Sequence, residues 1–376
     1  HFSHGMALAP LADGEDDESN LLLLSAANQL NLAGPEAVQD RSQNVIAATL
    51  NLRAGKKAIE MSDFEAAHSY FDCGISFLRD FDCGISFLRE NHWDEYYDLS
   101  LELFNLAAKC TLVNGDLVGL NVLSEQVLQK AHSLEDKLNV MYFLTCSLAY
   151  SSRLPEAIEK GLDILSKLGI ELREHGMSME TCVQETKDFL SRYTDDEILN
   201  MRRMTDPTMI MAMKFLSKLV TGMTQIMPET APYVAHRIIQ LSIDHGMSPV
   251  SPIGFVHFAS YVAQLGDIRG GYPSVKLALS LLDKVGSRES AGEVICFGTQ
   301  VIAYVEPLQA SLEFHNEGYA AAMSSGDIIQ AAANLVLSCA NSFFAGVNLQ
   351  TMREKCAEGV KFMGEFVPFI KILDIE

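Results

Sequence analysis

The chain has eight cysteines, yet no two of them form a C-x-x-C pair, and it contains no N-x-[ST] acceptor. Thiols dispersed in this way (Cys73, Cys83, Cys110, Cys146, Cys182, Cys296, Cys339 and Cys356) read as reduced and mostly buried, in a cytoplasmic protein. Catalytic strings are missing as well. No G-x-x-x-x-G-K-[ST] occurs, so the chain brings no phosphate cradle of its own, and there is no G-x-S-x-G, H-E-x-x-H or kinase catalytic loop. The nearest glycine-rich text, "GDIRGGYP" (266–273), lacks the spacing and the preceding strand of a nucleotide loop and reads as a helix-hairpin turn.

The ten histidines make no metal pattern. His1 and His4 sit in a start expected to fray. His257, on the apolar stripe "FVHFASYV", reads as a satisfied core histidine; its other use would be to hold a small molecule inside a helical array. "DGEDDE" (13–18) lacks the alternation and glycine of an EF-hand loop and reads as a solvated loop. The single tryptophan, Trp93, opens the helical text "WDEYYDLSLELF" and reads as a core anchor, and the sixteen methionines read as core filler. No catalytic, cofactor-binding or metal-ligating residue is assigned, and no cofactor is expected.

Positive charge is scarce too: 28 basic against 49 acidic residues leave a formal net charge of −21. Such a field repels phosphate backbones and anionic lipid, which argues against nucleic-acid and membrane-surface partners. One run, "IIQAAANLVLSCANSFFAGVNLQTM" (328–352), carries no charge at all. Its Gln330, Asn334, Asn341, Asn348 and Gln350 are each costly in hydrocarbon, so a buried helix is expected rather than a spanning one. "MIMAMKFLSKLVTGMTQIM" (209–227) holds two lysines and reads the same way.

What is present is helix. Only 11 prolines and 25 glycines punctuate 376 residues that are 48% hydrophobic, enough to bury a large core. "NLRAGKKAIEMSDFEAAHSYF" (51–71) gives two helices about a break at Ser62-Asp63, where Ser62-x-x-Glu65 fits a capping box. Gly55 and Ala67 are small residues at the spacing of positions 8 and 20 in a tetratricopeptide unit, with Phe71 at the large position 24 and Gly74 at the small position 27. Further breaks are expected at Gly115-Asp116, Gly266-Asp267 and Gly326-Asp327, glycine ending one helix and aspartate capping the next, and at Ser152-Arg153, where Pro155 suits a first helical turn. Ala157 and Ala331 take position 20, Ala259 position 8 and Ala278 position 27. The fold expected is all-α, an irregular TPR-like α-solenoid of antiparallel helical hairpins.

The decapeptide at 71–80 is written again at 81–90, with Asp80 becoming Glu90. Ten residues at about 100° each leave the helix face roughly 80° out of phase, so this doubling is no repeat unit. It reads as a local insertion that a helix absorbs, with Phe71, Gly74, Leu78, Phe81, Ile85 and Leu88 keeping heptad spacing across the join.

"NLRAGKKA", "YDLSLELFNLAA", "MTDP", "LSIDHGMSPVSPIGF", "LGDIRGGYPSVKLALSLL" and "SGDIIQAAANLVLSCANSFFAG" together resemble the helical-repeat region of large multidomain signalling ATPases. In that family a protein-kinase-like domain, a STAND or AAA-type ATPase, helical repeats, often a GAF domain and a histidine kinase share one polypeptide. The resemblance spans roughly residues 20 to 350, and "HFSHGMALAPL" looks like the end of a winged helix that follows the ATPase. Together with the irregular spacing of the breaks, whose widest interval reads as an insertion or a joint, this gives a linker at 1–18, a first TPR-like lobe at 19–172, inserted or joining helices at 173–250 and a truncated second lobe at 251–376. The function expected is a non-enzymatic sensor or scaffold arm that binds a protein, a peptide, neighbouring domains or a small effector. The alternative is a stand-alone TPR-like adaptor for protein–protein interaction.

Overall fold

The computed structural model describes residues 1–14, 16–38, 40–79, 92–172 and 178–366. Among them the backbone forms nineteen α-helices, two short 3₁₀ turns and no strand, so the chain is all-α as expected. The second copy of the decapeptide, with Cys83, lies outside the described residues. The chain divides into two units, His1–Leu144 and Thr145–Glu376.

The first unit carries α1 (Phe2–Leu8), α2 (Asp17–Ala33), α3 (Arg41–Glu60), α4 (Phe64–Arg79) and α5 (His92–Glu95). They are followed by α6 (Tyr97–Val113), α7 (Leu117–Lys130) and the start of α8 (Leu134–Tyr150). The opening residues do not fray: α1 packs on α2, and His1 Nδ1 lies 2.8 Å from Gln29 Oε1. Asp16, in the run expected as a loop, accepts the Ser19 N–H at 2.8 Å and starts α2, where a carboxylate also suits the helix dipole.

Helices α3 and α4 approach as closely as their small residues allow. A Cβ built on Gly55 would stand 2.3 Å from the ring of Phe71, and Ala67 and Phe71 have no exposed surface. Gly74 faces Asn51 and Ala48 of α3 and Leu103 of α6, so the one glycine lets two helices reach α4. Trp93 is buried, its ring centroid 5.1 Å from that of Phe104, as a core anchor should be.

All five expected breaks are present, and one geometry serves them all. A residue with positive φ ends each helix: Ser62 at +62°, Gly115 at +77°, Ser152 at +58°, Gly266 at +91° and Gly326 at +81°. The next N–H (Asp63, Asp116, Arg153, Asp267, Asp327) reaches the carbonyl five residues back at 2.9–3.2 Å, the bond that closes a Schellman motif. Asp63, Asp116, Asp267 and Asp327 then accept the N–H three residues on (Ala66, Gly119, Gly270, Gln330) at 2.9–3.2 Å. The capping box expected at Ser62 and Glu65 is therefore displaced by one residue. Ser62 occupies the left-handed slot that glycine takes elsewhere, which turns its side chain away from the cap, and Asp63 does the capping. A capping box does form at Thr194 and Glu197.

The second unit continues with α9 (Leu154–Lys167), α10 (Met179–Leu190), α11 (Asp195–Leu199), α12 (Pro207–Ile226) and α13 (Ala231–His245). It ends with α14 (Ser251–Gln264), α15 (Ile268–Val285), α16 (Arg288–Ile302), α17 (Leu308–Ser325), α18 (Ile328–Phe344) and α19 (Leu349–Phe366). From α12 onward each helix packs on the next, and α14 also packs on α12 and α16, and α16 on α18. Stacked hairpins produce that alternation. Residues 173–250 supply α10 to α13, with Asp206 accepting the Thr208 and Met209 N–H groups ahead of Pro207.

Two further breaks of the same kind were not read from the sequence. Gly169 (φ +74°) and Gly346 (φ +77°) each precede a residue that bonds five back, Ile170 to Leu165 and Val347 to Ser342. The second splits the uncharged run: α18 stops at Phe344 and α19 begins at Leu349, where one long helix had been expected. Nor is α18 buried all round. It turns Asn334, Ser338 and Ser342 inward and leaves Val336, Phe343 and Phe344 exposed. Among the described residues no helix is long and apolar enough to cross a membrane.

Candidate functional site

The aspartates at the hairpin breaks of the second unit do more than cap. Asp327 Oδ2 accepts from Lys218 of α12 at 2.8 Å, with both side chains largely covered, while its Oδ1 holds the α18 N-terminus. Half-buried Tyr150 stands near this pair, and its burial together with the Asp327 charge pushes the phenol well above its usual range. Asp267 likewise accepts from Lys187 of α10 at 3.1 Å, and its carboxyl is held below the usual range by Lys187 and by the Gly270 N–H. That second pair is exposed, so solvent screens it and it adds little to stability. Thus α10 and α12 are tied to the capping residues of α15 and α18.

Between α12, α14 and α16 lies a buried polar cluster. His257 of α14 has no exposed surface, and its Nε2 is 2.9 Å from Oε1 of the equally enclosed Glu293 of α16. The Thr221 hydroxyl of α12 contacts the same carboxylate oxygen. One turn along, the Tyr261 and Thr224 hydroxyls are 2.7 Å apart, and Thr224 also reaches the Val220 carbonyl. The Phe297 ring centroid is 4.2 Å from that of His257, whose Nδ1 is enclosed without a hydrogen-bond partner. A carboxylate costs several kcal/mol to bury unless its oxygens are occupied, and here the histidine and the threonine occupy one of them.

A second cluster joins α16, α17 and α18. Asn341 Nδ2 lies 3.0 Å from His315 Nε2, and His315 Nδ1 lies 3.2 Å from Asn334 Oδ1. Because an amide nitrogen only donates, Nε2 is the acceptor and the proton sits on Nδ1, facing the amide oxygen. Asn334 then donates to the Gly292 and Gln330 carbonyls, both at 2.8 Å, so the single side chain spans three helices. Burial holds the His315 imidazole below its ordinary range, opposed by the Asn334 bond. A proton on Nε2 would face the Asn341 donor.

A histidine–carboxylate pair is the base half of a hydrolytic dyad, but this one is closed to solvent. The neighbouring Cys296 thiol is pushed up to about 12 by burial, with the Glu293 charge adding, so it stays protonated and is a poor nucleophile. The geometry suits holding helices in register, since bonds between helices are what these side chains make. The reading of His257 as a core histidine agrees with its burial. Its partner was not read from the sequence; the one signal is that Glu293 stands alone in the apolar text "AGEVICFG".

No protein-family profile matches the chain. Over 171 residues, 46% of the chain, it is 23% identical to hybrid signal transduction histidine kinase G of Dictyostelium discoideum, and the match spans 5% of that protein. The chain is thus similar to one small portion of a much longer signalling protein.

Proposed function

We propose that this chain is a non-enzymatic, TPR-like helical-repeat arm of a multidomain signalling protein, one that couples a bound protein, peptide or small effector to neighbouring domains. The observation that carries the reading is the stretch of likeness to a hybrid signal transduction histidine kinase in a chain built from antiparallel helical hairpins. Hairpins of this kind stack into a quasi-one-dimensional array with an extended binding face, and a ligand that prefers one curvature shifts the populations of whatever is attached. The two buried clusters support it, because each fixes one helix against its neighbours and so transmits a change of packing as a discrete step. The setting proposed is cytoplasmic, with an ATPase of the STAND or AAA type in the same polypeptide. Titration calorimetry of the chain with Mg²⁺-ATP tests the non-enzymatic part: no heat of binding is expected, and micromolar affinity would overturn it.

A further inference from the structure

Of the seven cysteines among the described residues, four are buried, and Cys110 and Cys296 carry thiols pushed up to about 12. Cys339 and Cys356 differ from all of these. Cys339 lies half-buried on α18 and Cys356 exposed on α19, close enough that the Cys356 thiol perturbs that of Cys339. The register of the helix pair explains the meeting. A Cβ on Gly359 would touch Leu335 at 3.3 Å, so α19 runs antiparallel to α18 with 359 beside 335, and one helical turn on this brings 356 beside 339. Gly359 lets the axes approach, and the Schellman turn at Gly346 fixes the return of the chain. We infer that Cys339 and Cys356 are a peroxide-oxidisable dithiol, a modification site that closes into a disulfide and staples α18 to α19.

The two thiols are placed unequally, as attack and resolution require. Cys356 is the one that a peroxide in solution reaches. Its thiolate attacks one oxygen of hydrogen peroxide, the O–O bond breaks, and hydroxide leaves as water after taking up a proton, giving the sulfenic acid. Cys339 is pushed up to about 11, by burial first and then by the adjoining Cys356 thiol, so it waits as a thiol. It then attacks the sulfenic sulfur; the S–O bond breaks, the S–S bond forms, and a second water carries off the oxygen and the thiol proton. One peroxide is reduced to two waters, and two thiols are oxidised. In the reduced state α19 is held against α18 by packing and by the turn at Gly346, with no covalent link.

The test is mass spectrometry of the whole chain treated with hydrogen peroxide and then alkylated. The expected product is one peptide pair joining Cys339 to Cys356 within a single chain, with Cys110, Cys146, Cys182 and Cys296 still alkylated after unfolding. In Cys339→Ser, Cys356 should instead accumulate as a sulfenic acid that dimedone captures, and in Cys356→Ser neither position should oxidise at that dose. Closing the short loop between them should slow hydrogen exchange of α19 amides by up to about 100-fold, an effect reversed by dithiothreitol. Overturning results are oxidation of Cys356 to the sulfinic acid with Cys339 still free, a link between two chains in place of the internal one, or exchange in α19 that does not change on oxidation.

Discussion

Ser62 and Ser152 sit where the equivalent turns at 115, 169, 266, 326 and 346 have glycine, and this makes a prediction with two opposite signs. Both serines hold left-handed backbone, φ +62° and +58°, which costs an L-residue about 1–2 kcal/mol. Replacing Ser62 with glycine removes that strain but gives the unfolded chain more freedom, a loss of about 0.4–1 kcal/mol. The net expectation for Ser62→Gly is a gain of about 0.5–1 kcal/mol. Gly266→Ala runs the other way. A Cβ at Gly266 would meet nothing within 4 Å, so any change there is conformational rather than steric, and φ of +91° predicts a net loss of about 1 kcal/mol. Urea unfolding followed by circular dichroism gives the midpoints, and hydrogen exchange of α4 and α15 assigns each change to its own hairpin. If Ser62→Gly destabilises, or both variants move the same way, the shared turn geometry is wrong.

The other expectations are more local. Ala67→Glu should cost several kcal/mol, because the position is fully enclosed between α3 and α4 and a carboxylate there loses its hydration; an unchanged melting temperature would place Ala67 on the surface. Asp327→Ala should lose about 2 kcal/mol, against about 1 for Asp116→Ala, since the first removes a covered partner of Lys218 as well as a cap; equal losses would mean that the Lys218 pair contributes nothing. For His315 the folded state lies below the unfolded value of 6.5, so the unfolded chain takes up the proton first. Its contribution is complete above that value and falls as pH drops from 6.5 toward the folded pKa. The difference in unfolding free energy between the wild type and His315→Gln should shrink over that window; a difference independent of pH would refute the tautomer assigned from Asn341.

How far the sequence carried the reading can be seen at single residues. The Gly-Asp breaks were legible because both requirements, positive φ and a side-chain cap, are local and restrict residue type sharply. Ser62 misled because serine is a good cap and a poor left-handed residue, so local preference pointed to the wrong role by one position. Gly346 was missed because the text around it has no aspartate and stays apolar, although Asn348 caps α19 by accepting the Gln350 N–H at 2.8 Å. The clusters were beyond reach for another reason. Lys218 and Asp327 are separated by 109 residues, and His257 and Glu293 by 36, so only the stacking of helices brings them together. Asn334 and Asn341 read in the sequence as residues unsuited to lipid; their use, tying His315 between three helices, arises only from the packing of α16, α17 and α18.

The central claim is that this helical array serves as one arm of a larger signalling protein. The most direct measurement is to sequence the full transcript on both sides of the codons for His1 and Glu376. The account predicts one open reading frame in which a P-loop ATPase precedes the helical array. A reading frame that encodes the array with no ATPase joined to it would contradict that claim and leave the stand-alone adaptor.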